Sequence, residues 1–237
     1  MKFKIVSLFV LCAIFISCGT SRQGGKKQRK GTKAQVVLTP EQQRKYDYFF
    51  LEASRLKMKD DYSAAFDLLQ HCLTINPNAS SALYEISQYY MYLKQVPQGQ
   101  AALEKAVEND PDNYWYSQGL ASLYQQQNEM QKATNLLENM ATRFSDRMDP
   151  LYSLLDIYNR LEEYDNVITT LNRLEEKMGK NEQLSMEKFR IYLQKKDNQS
   201  AFREIESLVE EYPMDMRYQV ILGDVYMQND KKDEAYN

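Results

Sequence analysis

Small residues recur along the chain at a step of 34 residues: Ala65, Gly99 and Ala133 stand at that interval, Val167 takes the fourth place, and Ala201 and Ala235 resume it. Apolar residues follow each of them at helical spacing, Leu69 and Cys72 after Ala65, Leu103 and Ala106 after Gly99, Leu137 and Met140 after Ala133. One helix or one sheet has no such period. Two antiparallel helices joined by a short turn do, when each pair stacks on the last and buries its apolar stripe there. The pattern therefore predicts an all-α solenoid of helix pairs.

Boundaries follow from local chemistry. In Thr39-Pro40-Glu41-Gln42, Thr39 can accept from exposed amides, Pro40 is pre-set for the first helical position and Gln42 completes a capping box. Folded structure is expected to run from residue 39 to residue 237. Asn76-Pro77 and Asp110-Pro111 close second helices, because proline cannot continue a helix and disfavours helical geometry just before it. Lys59-Asp60-Asp61 and Gln127-Asn128-Glu129 read as the short polar turns between the helices of a pair.

Counted in units of 34, the repeats fall at about 46–79, 80–113, 114–147, 148–181, 182–215 and 216–237, the last incomplete. The first places Ala53, Leu56, Ala65, Leu69, Cys72 and Pro77 where the second has Ser87, Tyr90, Gly99, Leu103, Ala106 and Pro111. Ala121, Tyr124, Ala133, Leu137, Met140 and Ser145 follow in the third. The fourth is the most divergent, with Leu155 and Val167 at the small places beside Tyr158, Leu171 and Leu174, and its helices are expected to stand slightly further apart. Phe189, Tyr192, Ala201, Ile205, Leu208 and Pro213 make the fifth, and Gly223, Tyr226 and Ala235 begin the sixth. This register resembles the tetratricopeptide repeat family, which implies a right-handed α-α superhelical solenoid whose concave groove takes a protein or peptide ligand. The sixth pair breaks off at Asn237, so the chain is expected to be the amino-terminal part of a longer protein.

In that family the groove is lined from the first helix of each pair. The matching places hold Phe50 and Met58; Tyr84, Gln88, Met91 and Tyr92; Trp115 and Gln118; Tyr152 and Arg160; and Met186 and Arg190. Aromatic, Met and amide side chains suit an extended peptide or an amphipathic helix, with Trp115 as the best single anchor. The family's chaperone-tail binders carry a clamp of Lys and Asn, and this chain has Phe50 and Ser54 at those places, which argues against that ligand. Tyr90, Tyr124, Tyr158, Tyr192 and Tyr226 are expected in the core.

The first 17 residues read as a lipoprotein signal peptide: Lys2 and Lys4 precede twelve mostly apolar residues, Ile5 to Ile16, short of the roughly 20 needed to span a bilayer. Phe15-Ile16-Ser17-Cys18-Gly19 resembles the bacterial lipobox, with Phe15 where Leu is usual, and the resemblance implies lipidation of Cys18. Residues 18–38 form a flexible tether carrying Arg22, Lys26, Lys27, Arg29, Lys30 and Lys33 among glycines. Gly19 after the lipid-bearing cysteine points, by the sorting pattern of such proteins, to an outer-membrane lipoprotein facing the periplasm.

Charge and composition narrow the function. Taking the eight basic residues of the first 33 out of the net charge of −3 leaves −11 for residues 34–237. An acidic array does not bind nucleic acid, which demands a basic stripe. With one His, and with Cys72 alone once Cys12 and Cys18 are set aside, no catalytic dyad, zinc spacing or disulfide is available. No cofactor, metal or small-molecule substrate is expected. Glu162-Glu163, Glu175-Glu176 and Glu210-Glu211 read as solvated charge. A non-enzymatic, membrane-anchored scaffold of the bacterial envelope is the expectation, and its rival is the recruitment arm of a longer enzyme or sensor.

Overall fold

The computed structural model describes residues 37–228; the leader, Cys18, the tether through residue 36 and the start of the sixth second helix lie outside the described residues. Within them run eleven helices and no strand: α1 (Pro40–Lys57), α2 (Tyr62–Ile75), α3 (Ser80–Tyr92), α4 (Val96–Asn109), α5 (Tyr114–Gln126), α6 (Met130–Arg143), α7 (Asp149–Arg160), α8 (Tyr164–Met178), α9 (Glu182–Gln194), α10 (Asn198–Glu211) and α11 (Met216–Gln228). Each packs chiefly on its neighbours in the chain. The second helices begin at Tyr62, Val96, Met130, Tyr164 and Asn198, so the 34-residue step passes unchanged from side chains to backbone.

Helix α1 opens on its capping box: Thr39 Oγ1 accepts from the Gln42 amide at 3.2 Å, and Gln42 Oε1 accepts from the Thr39 amide at 2.9 Å. Asn76 and Asp110 end α2 and α4 with φ of −132° and −138°, out of the helical region that a following proline disfavours. The fourth repeat uses another stop. There α8 ends on Gly179 at φ 82° and ψ 176°, a region open essentially to glycine alone.

The turns within each pair hold a feature that residue type did not announce. Asp60, Lys94, Asn128, Glu162 and Lys196, again 34 apart, all have φ between 56° and 62°. None is glycine, although the left-handed region costs other residues roughly 1–2 kcal/mol. The offset is visible in the next residue, whose amide reaches back five places: Asp61 to the Leu56 carbonyl at 3.0 Å, and Gln95, Glu129, Glu163 and Asp197 to the carbonyls of Tyr90, Tyr124, Tyr158 and Tyr192 at 2.8–2.9 Å. This Schellman closure satisfies helix-end carbonyls that would otherwise be orphaned.

The small places are sealed. Ala65, Ala106, Ala121, Ala133, Val167 and Ala201 are wholly buried, with Leu137, Leu174, Ile205 and Leu208 beside them. At Gly99 a Cβ would lie 2.6 Å from Met91 Sδ and 3.1 Å from the Ser87 carbonyl oxygen, so a larger residue there would have to shift the Met91 side chain and press on α3. Tyr124 and Tyr158 are buried as expected, and Tyr90, Tyr192 and Tyr226 are half-buried. The divergent fourth repeat is fully packed: Leu151, Leu154 and Ile157 are closed to solvent, while Leu155 is half-buried at the cluster's edge.

One interior place is occupied by a charge. Lys188, with 3% of its side chain exposed, lies 2.8 Å from Glu175 Oε2 and 2.9 Å from Glu204 Oε1, and Lys180 joins both carboxylates at 3.5 and 3.6 Å. The network ties α8, α9 and α10 together. It also corrects the reading of Glu175 as solvated: burial works to raise its pKa, but the hydrogen bond and charge of Lys188 and the charge of Lys180 outweigh it and hold the carboxyl below its ordinary range. Burial likewise opposes the charge on Lys188, and hydrogen bonds to Glu175 and Glu204 outweigh it and raise that pKa.

Candidate partner-binding face

Contacts spanning one repeat set successive first helices side by side. Tyr46 Oη and Ser81 Oγ are 2.9 Å apart, Tyr114 Oη donates to Asp149 Oδ2 at 3.4 Å, and Arg217 donates to Glu182 at 3.2 Å. Between α3 and α5 the rings of Tyr84 and Tyr116 stack at 4.7 Å, with the edge of Tyr84 beside Gly119. With the small and apolar places turned toward the second helices, the side chains at i, i+3, i+7, i+10 and i+11 of each first helix share the opposite face.

The candidate residues divide on that face. Met58 (81% exposed), Tyr92 (82%) and Trp115 (63%) stand out into solvent, and Tyr152, Gln88, Arg160 and Arg190 are also exposed. Tyr152 Oη donates to Met178 Sδ at 3.4 Å; Arg160 pairs with Asp156 at 3.7 Å, and Arg190 with Glu187. Four others spend much of their surface on packing. Phe50 stacks on Tyr46 at 5.9 Å, Tyr84 stacks on Tyr116, Met91 lies across Gly99, and Met186 joins the apolar cluster of α9, α10 and α11. Gln118 is half-buried and accepts from Tyr114 Oη at 3.0 Å.

Trp115 is held as well as exposed. Its ring meets Tyr114 edge-on at 5.3 Å, and the Arg147 guanidinium lies 4.0 Å from the Tyr114 centroid and 5.5 Å from that of Trp115. Such cation–π contacts are worth about 0.5–1 kcal/mol at exposed sites. Burial and the Asp149 charge raise the Tyr114 phenol above its ordinary range, so it remains a neutral donor. Arg147 comes from the loop after α6, and its alignment with Trp115 was not visible from spacing.

A shallow polar cleft of about 190 Å³ lies between α6 and the start of α8, and its lining includes Asn135, Glu138, Tyr158, Glu163 and Asn166. Its groups engage one another: Tyr158 Oη donates to Glu138 at 3.3 Å and Asn166 to Glu163 at 2.7 Å. Burial and then the Glu138 charge push the Tyr158 phenol up to about 12. Cys72 is sealed, and burial lifts its thiol to about 11, which leaves little thiolate for chemistry. His71 is exposed with its ring 5.7 Å from Phe49. Among the described residues no group of three or more His, Cys, Asp or Glu is arranged to hold a metal ion, and no helix is long and apolar enough to cross a membrane.

A tetratricopeptide repeat profile matches residues 80–113, the unit that runs from α3 through α4, and the same register recurs in the pairs on either side of it. That unit is a tetratricopeptide repeat. Solved structures share the fold at low identity. A tetratricopeptide repeat protein from Parabacteroides merdae is 17% identical with a TM-score of 0.53, over 81% of this chain and 77% of that one. A chain of the Naa15/Naa10 complex bound to HypK-THB is 17% identical with a TM-score of 0.58, over 82% of this chain and 31% of the other. MamA of AMB-1 is 17% identical with a TM-score of 0.51, over 71% and 92%. No curated protein matches the chain in sequence.

Proposed function

We propose that this tetratricopeptide repeat protein is a non-enzymatic scaffold that binds a segment of a partner protein along the face of its first helices, while a lipid on Cys18 holds it to a bacterial envelope membrane, facing the periplasm. The observation that carries the binding role is Trp115. A large ring that is exposed yet oriented by Tyr114 and Arg147 contributes little to the fold, and rigid exposed aromatics are what protein interfaces use as anchors. The resemblance to a chain of an assembly bound to HypK-THB supports a protein partner. For the anchor, the support is sequence alone: an apolar run meeting Ser17-Cys18-Gly19 and a basic tether, whose six charges would each add about 1 kcal/mol at an anionic surface.

Crosslinked pull-down from the native envelope tests the face. Trp115→Ala and Tyr92→Ala should each lower partner recovery about tenfold with no change in melting temperature; full recovery by both variants moves the binding surface elsewhere. Feeding a fatty-acid analogue tests the anchor, and equal labelling of wild type and Cys18→Ala would remove it.

A further inference from the structure

Charge is distributed unevenly over the first helices. Helix α5 carries no Asp, Glu, Lys or Arg, and α3 carries only Glu85, which pairs with Lys57 at 2.7 Å. Thirteen charged residues lie in residues 80–147, so the two repeats are not poor in charge; it stands on second helices and turns. The ten face positions of α3 and α5 hold only Tyr, Trp, Met, Ser and Gln. By contrast α7 presents Asp149, Asp156 and Arg160, and α9 presents Arg190. Exposed helix surface is normally where charge accumulates. These ten positions add no charge to the face, and the guanidinium that reaches it, Arg147 beside Trp115, is paired with Asp149 at 3.8 Å.

Four of the ten are glutamines: Gln88, Gln118, Gln125 and Gln126. Gln88 and Gln126 are exposed and the other two half-buried. A glutamine amide offers donors and an acceptor in one plane, as a peptide unit does, and Tyr92 and Trp115 flank the row. Resting on the partner-binding reading above, we infer that α3 and α5 receive an extended, uncharged segment of the partner, its backbone amides paired to this glutamine row and an apolar or aromatic side chain set against Trp115. Desolvating a neutral segment leaves no buried unpaired charge, and its affinity does not depend on counterions.

The test uses the purified full chain and an array of synthetic extended peptides of about 12 residues, a length that spans two repeats. Binders lost in Trp115→Ala should be depleted in Asp, Glu, Lys and Arg at their central positions. Their affinity should change by less than about twofold between about 50 and about 500 mM NaCl. Gln118→Glu, which keeps the acceptor for Tyr114, should weaken those binders several-fold and select peptides bearing Lys or Arg. Trp115-dependent binders rich in charge, or an affinity that falls about tenfold over that salt range, would overturn the neutral-segment inference while leaving the binding face in place. An array with no Trp115-dependent binder would overturn both.

Discussion

Ile86, Leu120 and Leu154 occupy one interior place in three successive repeats, and Lys188 occupies the same place in the next. All four are buried, with exposures of 2%, 4%, 0% and 3%. The first three seal their joints with hydrocarbon, each contributing about 1.5–3 kcal/mol by leaving water. Lys188 leaves water with its charge, which costs several kcal/mol unless it is compensated; Glu175 and Glu204 compensate it, and Lys180 balances the second carboxylate. The same backbone register thus accepts two solutions. They differ in specificity: Leu154 tolerates any apolar neighbour of suitable size, whereas Lys188 requires carboxylates from both α8 and α10.

The largest test of this difference is Lys188→Ala, which should cost about 3–5 kcal/mol in urea denaturation because it leaves two partly buried carboxylates with only the more distant Lys180 between them. Leu154→Ala should cost about 2–5 kcal/mol. Replacing Lys188, Glu175 and Glu204 together by Leu or Met should be neutral or stabilising by about 1–4 kcal/mol; a loss as large as that of Lys188→Ala would show the network to be more than a substitute for hydrocarbon.

Titration separates the joints next. Glu175 has its pKa lowered on folding, so its contribution is present above the ordinary carboxylate value and is lost as pH falls through the folded one. Lys188 has its pKa raised, so its contribution is complete below the ordinary lysine value and is lost as pH rises through the folded one. Denaturation across pH should therefore show weakening at both ends in the wild type and less of it in the triple hydrocarbon variant. Equal profiles would remove the ion network from the account of stability.

Smaller effects compare the helix stops and turns. Gly179→Ala should destabilise by about 1–3 kcal/mol through the backbone alone, because a Cβ there meets nothing within 4 Å. Glu162→Gly should stabilise by about 0.5–1 kcal/mol, the relief of left-handed strain less the entropy of glycine, and Asn128→Gly should gain less because asparagine tolerates that geometry. Thermal melts of the two variants check the ordering.

The architecture was legible because its determinants are local and repeated. The Thr39 box and the Asn76-Pro77 and Asp110-Pro111 stops each act within a few residues, and Ala65, Gly99, Ala133, Val167 and Ala201, named from the 34-residue step, are buried where the helices of a pair meet. The left-handed turns were hidden because Asp60, Lys94, Asn128, Glu162 and Lys196 share a backbone state without sharing a residue type. Lys188 did carry a signal, a lysine in register with Ile86, Leu120 and Leu154, but its partners come from two other helices. On the proposed binding face, spacing named places along one side of each first helix. It could not tell Tyr92, which projects, from Met91, which lies over Gly99.

Those five turns have a practical consequence. Their φ values agree within a few degrees although their side chains carry negative, positive or no charge, so the backbone state is kept whatever charge the position bears. A single cysteine placed at each in turn would give five attachment points at equal intervals of 34 residues. A probe moved from one to the next would map where a partner's segment begins and ends along the array.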